Sequence, residues 1–276
     1  MHKKSILITG CSSGIGECVA LGLQQRGYRV FASARRQEDV ERLRESGLES
    51  LQLDLDDSIS IQNAVKRVLQ ETGGTLDALF NNGAYGQVGA IEDLTRETLL
   101  KQLQTNVLGW HELVQLIMPV MRKEGHGRII QNSSVLGFVA LRYRGAYVTS
   151  KYCIEGLTDT LRLELMGSNI HAILIEPGPI RSKFRENAHK AFKKNIDTTN
   201  SFHKEHYAQT KARLEKEGDA AAFTLPAEAV LAKVIKALES KKPRARYYVT
   251  FPTYLFGYLK RILPTSWMDW LLVKIT

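Results

Sequence analysis

Between residues 5 and 182, short apolar runs alternate with longer segments whose apolar residues recur at the helical period, and this constrains the fold more than any other feature. Ser5-Ile6-Leu7-Ile8 reads as a strand and residues 14–26 as a helix. Strands follow at 28–33, 50–53, 76–81, 128–132 and 171–175. Between them lie helical patterns at 38–45, 59–69, 95–123 and 147–166. Alternation of this kind implies right-handed βαβ units and a parallel sheet. The strands are near-continuous apolar runs, as expected when helices cover both faces. With a last strand at 247–249, the expectation is an α/β fold: a doubly wound, parallel, seven-stranded sheet. The 276 residues fit one large domain of this class, and neither repeats nor a low-complexity linker divide them.

Pro177-Gly178-Pro179 ends the regular pattern. Residues 183–224 begin polar and lysine-rich and favour helix. They follow the sixth strand, and in doubly wound folds ligands bind beyond the carboxyl ends of strands, so this insertion is expected to form a substrate lid. A helix is predicted over 226–238. The tail, 251–276, is rich in Leu, Tyr, Phe and Trp.

Composition excludes several classes. At 43% hydrophobic and 24% charged, wholesale disorder is not expected. The net charge of +9 fits a basic surface, a phosphate-rich ligand, a nucleic acid or an anionic membrane. No nucleic-acid-binding motif accompanies it, so no nucleic-acid partner is expected. Cys11, Cys18 and Cys153 have neither metal-site nor disulfide spacing, so reduced thiols and a cytoplasmic location are expected. His203 and His206 lie three apart, too few ligands for a metal, and none is expected. Lys3 and Lys4 mimic the start of a signal peptide, but the apolar run stops at Gly10. No stretch reaches the roughly 18 apolar residues of a spanning helix.

The turn from the first strand into the first helix reads Thr9-Gly10-Cys11-Ser12-Ser13-Gly14-Ile15-Gly16. Glycines there let backbone N–H groups approach a pyrophosphate, and the helix N-terminus adds partial positive charge. A purely structural turn would also use glycine. The second strand ends Ala32-Ser33-Ala34, then Arg35 and Arg36. A carboxylate there would hold the ribose 2′-OH of NAD; a guanidinium suits a 2′-phosphate. The expected cofactor is therefore NADP(H). Asp54, followed by Leu55, closes the third strand where it could meet the adenine.

Tyr147 and Lys151 are four residues apart on one helical face. Ser134 ends the preceding strand, and Asn106 lies in the long helical pattern before it. Each residue alone has an ordinary structural use. Together they form a chemical unit. Hydride reduction of a carbonyl leaves an oxygen that needs a proton, and free tyrosine, with a pKa of about 10, gives or takes one poorly near neutrality. A cationic Lys151 beside an oxidised nicotinamide is expected to lower that value. Ser134 can bond the substrate oxygen as charge develops, and Asn106 can hold a water linking Lys151 to solvent.

Residues 5–182 resemble the short-chain dehydrogenase/reductase family, through Thr9–Gly16, Asn81-Asn82, Asn106, Ser134, Tyr147-x-x-x-Lys151 and Pro177-Gly178-Pro179-Ile180. The resemblance implies a Rossmann-type fold. It makes Tyr147 the general acid/base and Ser134 the group that positions the carbonyl. Lys151 also binds the nicotinamide ribose, and Asn106 joins a proton relay. Arg35 becomes the NADP mark, and the backbone of Ile180 meets the carboxamide beside Pro177, Gly178 and Ser182. Asn81 joins the cofactor set, with Gly10, Ser12, Ser13, Gly14, Ile15, Gly16, Asp54 and Leu55. Two departures stand out: Gly83-Ala84 reverses the family's usual Ala-Gly, and Ser182 replaces a usual Thr.

Cys11-Ser12-Ser13, Ala34-Arg35 and Glu176-Pro177-Gly178-Pro179 resemble the retinol and 17β-hydroxysteroid dehydrogenases and bacterial aldehyde reductases. An apolar aldehyde or ketone is the expected substrate. Phe138, Leu141 and Tyr143, between Ser134 and Tyr147, are expected to border it. Phe184, Phe192, Phe202, Tyr207 and Phe223 either line the pocket or pack the lid. The tail is expected to pack on the core or on another subunit, burying Trp267 and Trp270; attachment to a membrane surface is the weaker alternative. The resemblance also implies a homodimer or homotetramer built through the long helices. Competing readings of function are a non-catalytic NADP(H) sensor or scaffold, and a membrane-surface retinoid- or steroid-type dehydrogenase.

Overall fold

A computed structural model describes residues 3–216, 218–219 and 221–275. Glu217 and Ala220 of the expected lid and Thr276 of the expected tail lie outside the described residues.

Seven parallel strands form one sheet in the order β3-β2-β1-β4-β5-β6-β7. They are β1 (Ser5–Ile8), β2 (Arg29–Ala34), β3 (Glu49–Gln52), β4 (Ala78–Asn81), β5 (Gly127–Asn132), β6 (Ile170–Glu176) and β7 (Arg246–Tyr248). The α/β, doubly wound expectation is realised, with strand ends within about two residues of the apolar runs. Winding reverses between β1, which pairs with both β2 and β4, and β4. Such a switch point opens a crevice at the strands' carboxyl ends.

Helices cover both faces, which explains the unbroken apolar strands. On one face, α1 (Gly14–Gln25), α2 (Gln37–Glu45) and α9 (Glu228–Glu239) bury Val19, Leu23, Val40, Leu43, Val230 and Val234 against Ile6, Ile8, Val30 and Phe80. On the other, α3 (Ser58–Glu71), α5 (Gly109–Glu124) and α6 (Gly145–Glu164) pack Ile61, Val65, Trp110, Leu113, Ile117 and Ile154 against Leu7, Leu79, Ile129 and Leu174.

The single helix expected at 95–123 has three parts: α4 (Arg96–Leu103), a π-helical turn at Gln104–Leu108, and α5. Asn106 lies inside the π turn, fully buried. π turns of this kind often mark functional positions.

The expected lid forms α7 (Phe184–Asn195) and α8 (Lys204–Glu215). Phe192, Tyr207 and Leu214 bury a small core of their own with Val88, Ala90 and Ile196. Tyr207 donates to Asp93 and accepts from the Ala90 amide at 2.9 Å, which ties the lid to the loop after β4.

The tail forms α10 (Phe251–Ile262) and α11 (Thr265–Lys274). Phe256, Met268 and Leu272 pack against Val135, Leu136, Val139 and Leu141, the loop after β5. Core packing therefore accounts for one face only. Trp267 and Trp270 stay 65% and 62% exposed, not buried in this chain, because the helices are two-faced and the core takes a single face. Among the described residues no helix is long and apolar enough to cross a membrane.

Candidate active site

A cleft of about 850 Å³ opens at the carboxyl ends of β1, β4, β5 and β6. Gly10, Ser12, Ser13, Ile15, Ser134, Tyr147, Lys151, Pro177, Gly178, Ile180 and Ser182 all line it. Residues from four strand ends and two helix starts thus converge, as the parallel topology requires.

The glycine turn is shaped by close backbone approach. Gly10 has φ +70, and a Cβ there would lie 2.5 Å from Gly83 Cα. A Cβ on Gly16 would lie 2.2 Å from the Gly10 carbonyl oxygen. Gly14 and Gly16 do not line the cleft; they allow the turn to close. Ser13 caps α1 in an extended conformation without a side-chain hydrogen bond to the helix, which leaves first-turn N–H groups available to an anion. In the reversed Gly83-Ala84 pair, glycine stands where a Cβ would meet Leu55 Cδ1 at 3.0 Å and the Gly10 backbone nitrogen at 3.2 Å, so this chain relieves rather than adds crowding at residue 83.

Asn82, part of the Asn81-Asn82 motif but given no site role from sequence, locks this turn. Its side-chain amide donates to the carbonyls of Thr9 at 3.0 Å and Gly10 at 3.2 Å, and its oxygen accepts from Asn132 at 2.9 Å. Asn81 instead faces the core, donating to the Trp110 carbonyl at 3.4 Å. Of the Asn-Asn pair, Asn82 lines the cleft. Side-chain direction alternates along a strand, and the sequence alone does not say which Asn of the pair turns to the cleft.

Arg35 and Asp54 sit beyond the rim of the cleft. Arg36 pairs with Asp39 at 2.9 Å and approaches Glu38 at 3.8 Å. Among the described residues the exposed Arg35 guanidinium has no partner. Asp54 accepts from the Asp56 amide at 3.1 Å, a turn role that leaves its second oxygen open.

Tyr147 and Lys151 rise from the first turns of α6 into the cleft, and both are buried. Lys151 Nζ donates to the Asn132 carbonyl at 2.7 Å and lies 5.5 Å from the Tyr147 ring centroid and 4.5 Å from that of Trp110. A hydrogen-bonded chain therefore runs from Lys151 through Asn132 and Asn82 to the glycine turn. The Ser134 hydroxyl accepts from the Leu136 amide at 3.1 Å and lies within hydrogen-bonding reach of the Tyr147 phenol. Phe184, from the start of the lid, packs edge-on against Tyr147 with centroids 5.2 Å apart.

Burial dominates the protonation of this pair. It raises the Tyr147 phenol, only partly offset by Ser134. It pulls the Lys151 ammonium down to about 7 against the opposing pull of Glu155. In the polypeptide alone the Ser134 hydroxyl opposes the rise at Tyr147; the expected lowering by Lys151 is for the pair with an oxidised nicotinamide bound.

Asn106 is fully engaged with protein. Its amide donates to the Tyr85 carbonyl at 2.9 Å and Ser150 Oγ at 3.1 Å, and its oxygen accepts from the Tyr85 amide at 3.2 Å. Ser150 in turn donates to the Tyr147 carbonyl at 2.7 Å, so Asn106 buttresses the helix that carries Tyr147.

Of the loop residues expected to border substrate, Leu141 lines the cleft. Phe138 stacks on Tyr248, with centroids 5.7 Å apart, and Tyr143 packs on His203, His206 and Tyr207 of the lid. Phe202 and Phe223 are exposed. The cleft also takes in Arg144 and Arg213, which the sequence reading missed.

Residues 4–193 match the family described as short chain dehydrogenase. The chain belongs to the short-chain dehydrogenase family. It is 40% identical over 267 residues to the uncharacterized oxidoreductase YbbO of Escherichia coli (strain K12), covering 97% of this chain and 93% of that one. Human 17-beta-hydroxysteroid dehydrogenase type 1 is 33% identical, with 91% and 78% covered. The NADPH-dependent 3-dehydrocapnine reductase of Ornithobacterium rhinotracheale is 31% identical, with 97% and 95% covered. Against these relatives the likeness extends past residue 193. The chain is thus an oxidoreductase of this family.

Proposed function

We propose that this oxidoreductase uses NADP(H) to interconvert a carbonyl and an alcohol, working chiefly as a reductase of an apolar aldehyde or ketone. The observation that carries the reading is the convergence of Tyr147, Ser134 and Lys151 in the cleft that the glycine turn opens. The turn's close-packed backbone and the uncapped start of α1 fit a pyrophosphate, and the unpaired Arg35 fits a 2′-phosphate. NADPH dependence in the Ornithobacterium relative supports the same choice. When bound, the dinucleotide supplies or accepts the hydride. The other contributions come from side chains.

Burial keeps Tyr147 protonated near neutrality, as an acid must be before it donates. Its phenol gives a proton to the substrate oxygen as negative charge builds there. The Ser134 hydroxyl donates to the same oxygen and fixes its position. Lys151, aimed by the Asn132 carbonyl, returns charge to the phenol's surroundings and holds the nicotinamide ribose. Asn106 has spent its donors on Tyr85 and Ser150, so only acceptor capacity remains for a relay water. Phe184 closes over Tyr147 and excludes solvent from the reacting oxygen.

Tyr147→Phe tests the assignment. Turnover is expected to fall by about 10²–10⁴-fold, the range of a lost general acid, with NADPH binding by calorimetry unchanged. Retained turnover refutes the role of Tyr147. A full cofactor-binding protein that never turns over any carbonyl would instead fit a sensor.

A further inference from the structure

Arg144 caps the N-terminus of α6, directly before the turn that carries Tyr147. Helix N-termini favour anions, so a guanidinium there works against the helix dipole. Arg144 lines the catalytic cleft, partly open to it and otherwise enclosed by protein. Among the described residues its guanidinium has neither an ion pair nor a hydrogen-bond partner. A second cation, Arg213 of α8, acts on it electrostatically, also lines the cleft and is also unpaired among the described residues. Burial and that repulsion together pull Arg144 down to about 10. The carboxylate among the lining residues, Asp219, is held by Arg181 at 2.7 Å. The first turn of α6 also lacks a side-chain cap.

Half-buried Arg144 and exposed Arg213 both line the cleft with no counter-charge among the described residues, so an anion entering it meets two unpaired cations at an uncapped helix start. Guanidinium binds carboxylate and phosphate in a bidentate fork. We propose that Arg144, assisted by Arg213, binds an oxyanion on the substrate itself. Arg144 precedes Tyr147 by three residues and both line the cleft, which sets the carboxylate or phosphate on the same substrate face as the reacting carbonyl. The remainder of the substrate is apolar and lies against Phe184, Val88 and Leu214. The substrate class is an anionic amphiphile with an internal carbonyl, not a wholly apolar one. This inference rests on the assignment of Tyr147 as the acid that faces the carbonyl.

The test compares 5-oxodecanoate, its methyl ester and the corresponding phosphate monoester, in the wild type and in Arg144→Met and Arg213→Met. In the wild type, kcat/KM for at least one anion is expected to exceed that for the ester by about tenfold or more. Arg144→Met is expected to remove that preference through KM, with the ester and the KM for NADPH unaffected; Arg213→Met removes part of it. The stronger of the two anions identifies the head group. Equal use of ester and anions by the wild type, or a preference that survives Arg144→Met, overturns the oxyanion site and leaves the reductase reading intact. Calorimetry with the NADPH-loaded protein separates the two claims if no compound turns over. Tighter binding of an anion than of the ester, lost in Arg144→Met, upholds the oxyanion site and sends the reductase reading to the wider carbonyl panel; equal binding overturns the site.

Discussion

Lys151 shows what burial does to a single side chain and how that can be measured. Its ammonium is enclosed, bonded to one backbone carbonyl and pulled down to about 7. The unfolded chain keeps its lysine protonated to about 10.4, so between these values the unfolded state binds the extra proton. Stability therefore rises with pH across that window, and below it the full cost, on the order of 4 kcal/mol, is present. Urea midpoints of the wild type relative to Lys151→Met are expected to improve as pH rises from 7 to 10; parallel curves would contradict this. At this scale the sequence was legible where a spacing encodes a shared face, as for Tyr147 and Lys151. It was not legible at Asn82 or Arg144. Nothing in Arg142-Tyr143-Arg144 separates a solvated loop from a cation set into a cleft, except the unusual placement of a guanidinium at a helix start.

Elements were legible in proportion to how much of their environment is local. Strands buried on both faces announce themselves, and β1 through β6 lie close to their apolar runs. The π turn at 104–108 carries neither Pro nor Gly and arises from tertiary contacts, chiefly Asn106 with Tyr85 and Ser150, so a continuous helix was the natural reading. The edge strand β7 has three residues and is held by charge. Arg246 reaches Glu155 at 3.0 Å and Asp159 at 2.7 Å on α6, and Glu176 at 3.3 Å on β6. Burial raises both carboxyls, Glu155 adds to the rise at Glu176, and Arg246 offsets both. Arg246→Met strips the buried carboxylates of their cation and is expected to cost about 3–5 kcal/mol in urea unfolding. A loss below ~1 kcal/mol would show that the cluster contributes little beyond an exposed ion pair.

At the scale of the whole molecule, the chain leaves apolar surface that its own core does not use. Leu157, Leu163 and Met166, on and just after α6, and Leu108, the residue before α5, are 45%, 58%, 77% and 52% exposed. These are the long helices through which a dimer or tetramer was expected. Sedimentation velocity is expected to show a dimer or larger, reduced to monomer by Leu157→Glu with Leu163→Glu; a monomeric wild type would contradict it. The tail's contact with the loop after Ser134 was illegible beforehand, since an amphipathic helix states that it has a partner but not which one. The central proposal is that the site would hold a phosphorylated dinucleotide and reduce a carbonyl. The most direct measurement is the initial rate of NADPH against NADH oxidation, by nicotinamide absorbance, over aldehydes, ketones and keto acids, in the wild type and Arg35→Ala. Carbonyl-dependent oxidation is expected with NADPH preferred by about tenfold or more, and that preference largely lost in Arg35→Ala. Preference for NADH, or carbonyl-independent silence with cofactor bound, would contradict it.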